Sequence, residues 1–209
     1  MKRVIAYYDG SNFYHYARSS FGVTSVDFKM MSEQLLDDAE ALVQVRYFSA
    51  PVNQQEDPEG YKRQQRFFAN LRKTPLVELN LGKLVKRPLN RIHISCPVCG
   101  HQEAEELRCP VCNRIIPITQ CFKLTEKGVD VHLGMTMLLD AIDDRYDVAL
   151  LFSSDADFSP TIRYITKKLG KAVVYCKFPG KTTSELLKVC SEWRDITRAD
   201  VENARPFSS

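Results

Sequence analysis

Strands alternating with helices along most of the 209 residues predict an α/β fold with a largely parallel, doubly wound sheet. Two segments anchor that expectation. Residues 147–152, Asp-Val-Ala-Leu-Leu-Phe, form the most strand-like stretch of the chain, and a continuous apolar run of that length suits a strand central in the sheet. Residues 4–8, Val-Ile-Ala-Tyr-Tyr, form a second such run, rich in β-branched and aromatic side chains and ended by Asp9-Gly10-Ser11-Asn12, a turn sequence.

The remaining elements follow in order. Residues 12–20 read as a short helix, and Asp27 as the N-cap of a helix reaching about residue 41. Residues 42–49 return as a strand. Tyr61, Phe67, Phe68 and Leu71 among many basic and amide residues give a third helix over 56–73, followed by a strand over 76–84 with Gly82 as a candidate bulge. Between residues 86 and 119 the alternation stops. Pro88, Pro97, Pro110 and Pro117 fall there among four cysteines, and no helical period survives, so the segment reads as an inserted module. Helical periodicity resumes over 126–142. After the central strand, Ser159 and Pro160 suit an N-cap and first helical residue, and Gly170 suits the position just past the helix end. A strand over 171–176, a short helix over 184–190 and a last strand over 194–197 complete the chain. The expected organisation is therefore one domain made of residues 1–85 and 120–209, with residues 86–119 inserted.

Composition narrows the class. The 44% hydrophobic and 26% charged fractions are those of an ordinary globular protein, and 29 basic against 26 acidic residues leave a net charge of +3, which neither demands nor excludes nucleic acid. No apolar run approaches the roughly 20 residues of a membrane helix, and Met1-Lys2-Arg3 leads only to a short apolar run before Asp9. Neither a membrane span nor a signal peptide is expected. Seven cysteines, four of them in Cys-x-x-Cys pairs, suit thiolate ligands in a reducing compartment better than a disulfide framework, so the cytoplasm is the expected location.

The chemistry concentrates in aspartates. In open α/β sheets ligands bind beyond the carboxyl ends of the strands, and Asp9 ends the first strand while Asp155 and Asp157 follow the central one. Clustered carboxylates repel and lose solvation, and a hard cation with oxygen ligands, Mg²⁺ or Mn²⁺, offsets both. Such an ion activates water for in-line phosphodiester hydrolysis. Taken singly, Asp9 equally suits a turn residue, and Asp157 or Ser159 a helix cap. Their shared placement at strand ends is what favours a site. Ser153 and Ser154 are placed to hydrogen-bond the carboxylates or a phosphate, or simply to end the strand.

Three stretches together resemble the NYN domains of the PIN-like nuclease superfamily: Asp9-Gly10-Ser11-Asn12, Lys127-Gly128-Val129-Asp130 and Ser153-Ser154-Asp155-Ala156-Asp157-Phe158. Their order and spacing fit across nearly the whole chain outside the insert. The resemblance implies a Rossmann-like PIN/NYN fold, catalytic metal ligation by Asp9, Asp130, Asp155 and Asp157, and RNA as substrate. It also implies a supporting role for Asn12 and a phosphate-facing one for Lys127. Asp130 enters the site only through the resemblance; otherwise it reads as an acid favourably placed near a helix N-terminus. PIN-like sites often take a further acid from mid-fold, for which Asp57, Glu59, Glu78 and Asp140 are all open.

Cys96-Pro97-Val98-Cys99 and Cys109-Pro110-Val111-Cys112 are two nearly identical knuckles, and four thiolates make a closed tetrahedral Zn²⁺ site of structural character. The nine residues between the pairs are fewer than the usual spacing of about 15–20, leaving room for only a short hairpin. His101 reads as a surface residue. Cys121, Cys176 and Cys190 lie in apolar surroundings and read as inert core thiols. By its place in the chain, the insert is expected beside the acids, with Lys83, Lys86, Arg87, Arg91, Arg108 and Arg114 toward phosphate; a dimerisation or partner-docking knob fits equally well. On the helix over 56–73, Lys62, Arg63, Arg66, Arg72 and Lys73 interleaved with Tyr61, Phe67 and Phe68 suit single-strand binding by charge and stacking, though a solvated helix with the phenylalanines toward the core fits better.

The function expected from the sequence is a Mg²⁺- or Mn²⁺-dependent ribonuclease whose zinc ribbon aids substrate or partner binding. A non-catalytic RNA- or protein-binding regulatory domain is the alternative. A phosphatase with Asp9 as nucleophile fits less well, because the acid such enzymes need two residues later is Ser11.

Overall fold

A computed structural model describes residues 1–88, 92–95, 99, 101–105, 108–114 and 122–205. The chain divides into two compact units, Met1–Lys83 with Gly128–Ser209, and Leu84–Lys127. The order of elements is β1 (Lys2–Asp9), α1 (Gly10–Phe21), α2 (Phe28–Glu33), β2 (Glu40–Ser49), α3 (Pro58–Lys73), β3 (Val77–Leu81), β4 (Lys83–Pro88), β5 (Ile92–Ser95), β6 (Gln102–Glu105) and β7 (Phe122–Lys127). There follow α4 (Val129–Ile142), β8 (Val148–Phe152), α5 (Ser159–Lys168), β9 (Ala172–Lys177), α6 (Ser184–Val189), β10 (Glu192–Asp195) and α7 (Arg198–Asn203).

In the first unit six parallel strands form one sheet in the order β10-β9-β8-β1-β2-β3. The two uninterrupted apolar runs, β1 and β8, lie side by side at its centre, and all five residues of β8 are buried. Flanking helices cover such a sheet on both faces, which is why neither run alternates with polar residues. One face of the core is aromatic. Tyr8 stacks on Phe152 at 3.9 Å between ring centroids, with Phe13 and Phe28 packed edge-on against Tyr8. Phe67 and Phe68 of α3 also turn inward, as the sequence predicts. Among the described residues no helix is long and apolar enough to cross a membrane.

Several boundaries differ from the sequence expectation, each for a local reason. Asp27 does cap α2, accepting from Met30 N at 2.9 Å, but the helix ends at Glu33 rather than near residue 41. Asp37 and Asp38 favour turns over helix; Glu40 N donates to Asp37 O and Lys2 N to Ala39 O, so β2 opens at Glu40. Gly82 is a break between two strands and not a bulge: its N–H donates to Ser49 O at 2.8 Å, and the chain then leaves the central sheet as β4, which pairs with β7. Glu126 and Lys127 belong to β7, and Gly128, at φ 82°, makes the left-handed turn into α4. Ser159 is the first residue of α5 and not its cap. Asp155 caps a short 3-10 turn, Ala156–Phe158, that leads into the helix. The last strand lies at Glu192–Asp195, ahead of the expected 194–197, and α7 follows it, opened by a reciprocal capping box between Thr197 and Asp200.

In the second unit β5 and β6 form an antiparallel pair with Ile92 opposite Glu105 and Ser95 opposite Gln102. The strands bracket the first cysteine pair in sequence, whereas the expected hairpin lay between the pairs. Cys96 and Cys121 lie outside the described residues. At the second knuckle Cys109 N donates to Arg114 O and Asn113 N to Cys109 O, both at 2.9 Å, with Asn113 at φ 55°. Backbone amides of Cys112 and then Val111 hold the Cys109 thiol below its ordinary range. Burial instead pushes Cys190 up to about 12 and Cys176 higher still, consistent with core thiols.

Candidate functional site

Asp9 is where strand, helix and site meet. As the last residue of β1 it keeps an extended backbone, and its carboxylate caps α1 by accepting from Asn12 N at 3.1 Å. Gly10 is required next, because a Cβ there would lie 2.4 Å from the Tyr47 hydroxyl and 2.7 Å from the Phe48 carbonyl oxygen. The other Asp9 oxygen accepts from Ser153 Oγ at 3.0 Å. Asp9 is consequently 6% exposed, the most buried of the four aspartates.

The loop after β8 is built onto the same point. Ser153 Oγ accepts from Asp155 N at 3.2 Å, Asp155 Oδ1 accepts from Asp157 N at 2.9 Å, and Asn12 Oδ1 accepts from Ser154 N at 3.1 Å. The β1–α1 junction and the loop after β8 are thus tied by hydrogen bonds, and Ser153, Ser154 and Asn12 are the ties. Asp130 arrives separately, in the first turn of α4, with no hydrogen-bond partner among the described residues. Lys127 ends β7 and belongs to the second unit.

Repulsion links Asp130 to Asp9, Asp155 and Asp157, and Asp9 to Asp155. The Asp9 carboxyl is raised above its ordinary range first by burial, with repulsion from Asp130 and Asp155 adding to it against the bonds from Asn12 and Ser153. Asp130 is raised by loss of solvation and then by Asp155 and Asp157. No basic side chain among the described residues pairs with any of them. An all-oxygen donor set with uncompensated charge fits a hard divalent cation and no softer one. The carboxylates are not drawn into a single coordination shell, however: among the described residues no group of three or more His, Cys, Asp or Glu side chains is gathered closely enough to hold a metal ion.

The four acids left open as a further ligand all have other work. Asp57 caps α3 by accepting from Gly60 N at 2.7 Å, and Glu59 pairs with Lys62. Asp140 lies about 15 Å along α4 from Asp130 at 1.5 Å per residue. There it accepts from Tyr7 OH at 2.7 Å and from Arg46 at 2.9 Å, and Arg46 also holds Glu78 at 2.7 Å. That buried network clamps α4 to β1 and β2. Sequence pattern alone did not mark one neighbour of the site, the loop after β9. Ser154 Oγ and Tyr175 OH both donate to Lys181 O, at 3.1 and 3.0 Å, and Thr183 Oγ1 donates to Ser154 O. The clue available was Gly180-Lys181-Thr182-Thr183 just past a parallel strand.

Comparison with known proteins supports the fold. The family model of the NYN domain matches residues 3–197. A solved structure of a protein of unknown function from Vibrio parahaemolyticus superposes with a TM-score of 0.62 at 18% identity, covering 96% of this chain and 95% of that one. No curated protein matches the chain significantly.

Proposed function

Because the chain belongs to the NYN domain family, a PIN-like nuclease family, we propose that it is a divalent-metal-dependent ribonuclease hydrolysing RNA phosphodiester bonds at Asp9, Asp130, Asp155 and Asp157. The observation that carries this reading is the placement of acids from three separate elements, Asp9 tied to the Asp155 loop through Ser153 and Asp130 repelling both, with no basic partner among the described residues to relieve them. Such an arrangement is costly for folding alone and useful for holding a cation. Bound Mg²⁺ or Mn²⁺ supplies charge neutralisation and Lewis acidity toward a phosphodiester. The chain's own residues set the geometry: Ser153 and Asn12 N fix the Asp9 carboxylate, the turn capped by Asp155 places Asp157, and the Gly128 turn places Asp130. Asn12 and Ser154 hold the first turn of α1 to the loop after β8. Asp130→Asn and Asp155→Asn remove cleavage of labelled RNA in Mn²⁺ while the circular dichroism spectrum stays that of the parent; undiminished cleavage by either variant would falsify the assignment.

In the second unit the same reading extends to a structural Zn²⁺ held by Cys96, Cys99, Cys109 and Cys112 in a ribbon that aids substrate or partner binding. Its support is the depressed Cys109 thiol, stabilised as thiolate by the amides of its own knuckle. One observation favours a second reading, a regulatory domain that binds RNA or protein without cutting: the acids are not pre-gathered. RNA shifted on a gel yet uncut over long incubation with Mn²⁺ selects it.

A further inference from the structure

We infer that Lys181 is a substrate-binding residue, whose ammonium holds a backbone phosphate of single-stranded RNA beside the acidic site. The inference rests on the ribonuclease reading above and adds a residue to its substrate path.

Four acids repel a polyanion, so a substrate phosphate needs a nearby cation to approach them. The loop after β9 supplies one at the correct edge. β9 runs parallel to β8, with Leu151 opposite Tyr175, so both strands release their loops on the same side of the sheet. Phe178 starts the loop by packing on Phe13, Tyr16 and Phe21 of α1, with centroids 5.3, 6.2 and 5.9 Å away. Gly180 at φ 68° and the bond from Lys181 N to Phe178 O at 3.1 Å then turn the chain back.

The backbone of Lys181 is pinned in place. Its carbonyl accepts from Tyr175 OH and Ser154 Oγ, which lie 2.7 Å from each other. An unbroken series of hydrogen bonds therefore runs from the acids to the lysine: Asn12 N to Asp9, Ser154 N to Asn12 Oδ1, and Ser154 Oγ to Lys181 O. Exposed loops normally carry conformational entropy that binding must remove. This one is ordered in advance.

The side chain, by contrast, is uncommitted to any acid. Lys171 and Lys177, flanking and ending β9, pair with Asp144 and Asp195, whereas Lys181 has no carboxylate partner among the described residues. It is exposed, and its Nζ lies 5.8 Å from the ring centroid of Tyr16. Tyr16 stands one helical turn beyond Asn12 on the same face of α1. The ring packs toward the core against Phe178, so the ammonium above it, and not the ring, is what a phosphate meets at this edge.

The test compares the full-length protein with Lys181→Met and Lys181→Arg. Fluorescence anisotropy with a labelled single-stranded RNA in Ca²⁺ reads binding across salt concentrations, and cleavage in Mn²⁺ reads kcat and KM. Both variants keep the carbonyl that Ser154 and Tyr175 hold, so matching thermal melts establish that the loop is intact. For Lys181→Met, Kd and KM rise roughly tenfold, as for one charge-assisted contact. The salt slope falls by about one phosphate's share, roughly 0.7, kcat changes by less than about twofold, and Lys181→Arg restores binding. Equal Kd and salt slope for Lys181→Met and a parent that cleaves RNA would overturn the role of Lys181 and leave the nuclease reading standing. A parent that binds RNA without cutting it ends the nuclease reading, and the binding arm still decides on Lys181. A parent that does not bind RNA overturns both.

Discussion

Asp9 serves at once as the end of β1, the cap of α1 and the most buried acid of the site. Its position was legible because a buried parallel strand places its last residue at the ligand edge, and the same argument gave Asp155 and Asp157. Asp130 was not legible that way: β7 runs directly into the Gly128 turn, and periodicity blurred the start of α4. Only the resemblance of Lys127-Gly128-Val129-Asp130 to the family pattern brought it in. The raised Asp9 and Asp130 carboxyls have a consequence for stability. A carboxyl whose pKa is higher in the folded state contributes stability that is fully present below the ordinary carboxylate pKa and is lost as pH rises through the folded value. In metal-free buffer, Asp130→Asn should therefore melt higher than the parent at pH 7, and the difference should vanish below about pH 4. Mn²⁺ should raise the melting temperature of the parent and not of the variant. A variant less stable at pH 7 contradicts this account.

At the scale of elements, the apolar runs β1 and β8 were legible because burial on both faces leaves no polar alternation to misread. The segment between α2 and β2 was not, because its boundary is set by distant partners. Glu40 reads locally as helix-compatible, yet it opens β2, where both its oxygens accept from Arg194 of β10, at 2.7 and 3.0 Å. Burial works against the Glu40 carboxylate, but Arg194 and the Asp37 amide outweigh it and hold its pKa below the ordinary range. That stability is present above the ordinary carboxylate pKa and is lost as pH falls through the lower folded value. Glu40→Ala removes two charge-assisted bonds from Arg194, which keeps Asp37, Glu192 and the Leu35 carbonyl, and should cost about 2 kcal/mol in urea denaturation at pH 7. Lys62→Ala, which breaks only the exposed pair with Glu59, should cost less than about 0.5 kcal/mol. Similar losses for the two would remove the Arg194 clamp from the account.

The whole molecule is two compact units drawn from one chain, the second of them Leu84–Lys127. Its internal pairing was less legible. β5–β6 and β4–β7 are strands of four to six residues, too short to impose a recognisable alternation. Thiol chemistry distinguishes the units. With zinc bound, a thiol reagent should label no cysteine of either knuckle; after chelation it should label Cys99, Cys109 and Cys112, with Cys109 fastest. Cys176 and Cys190 should react only on denaturation, since burial holds both as thiols. Peptide mass spectrometry reads each site separately, and labelling unchanged by chelation contradicts a zinc ribbon. Anomalous diffraction from crystals soaked in Mn²⁺ decides whether the four aspartates of three elements make one divalent-cation site. Manganese density bounded by Asp9, Asp130, Asp155 and Asp157, lost in Asp130→Asn, is the expected result. Manganese bound elsewhere, with these four carboxylates empty, would contradict it.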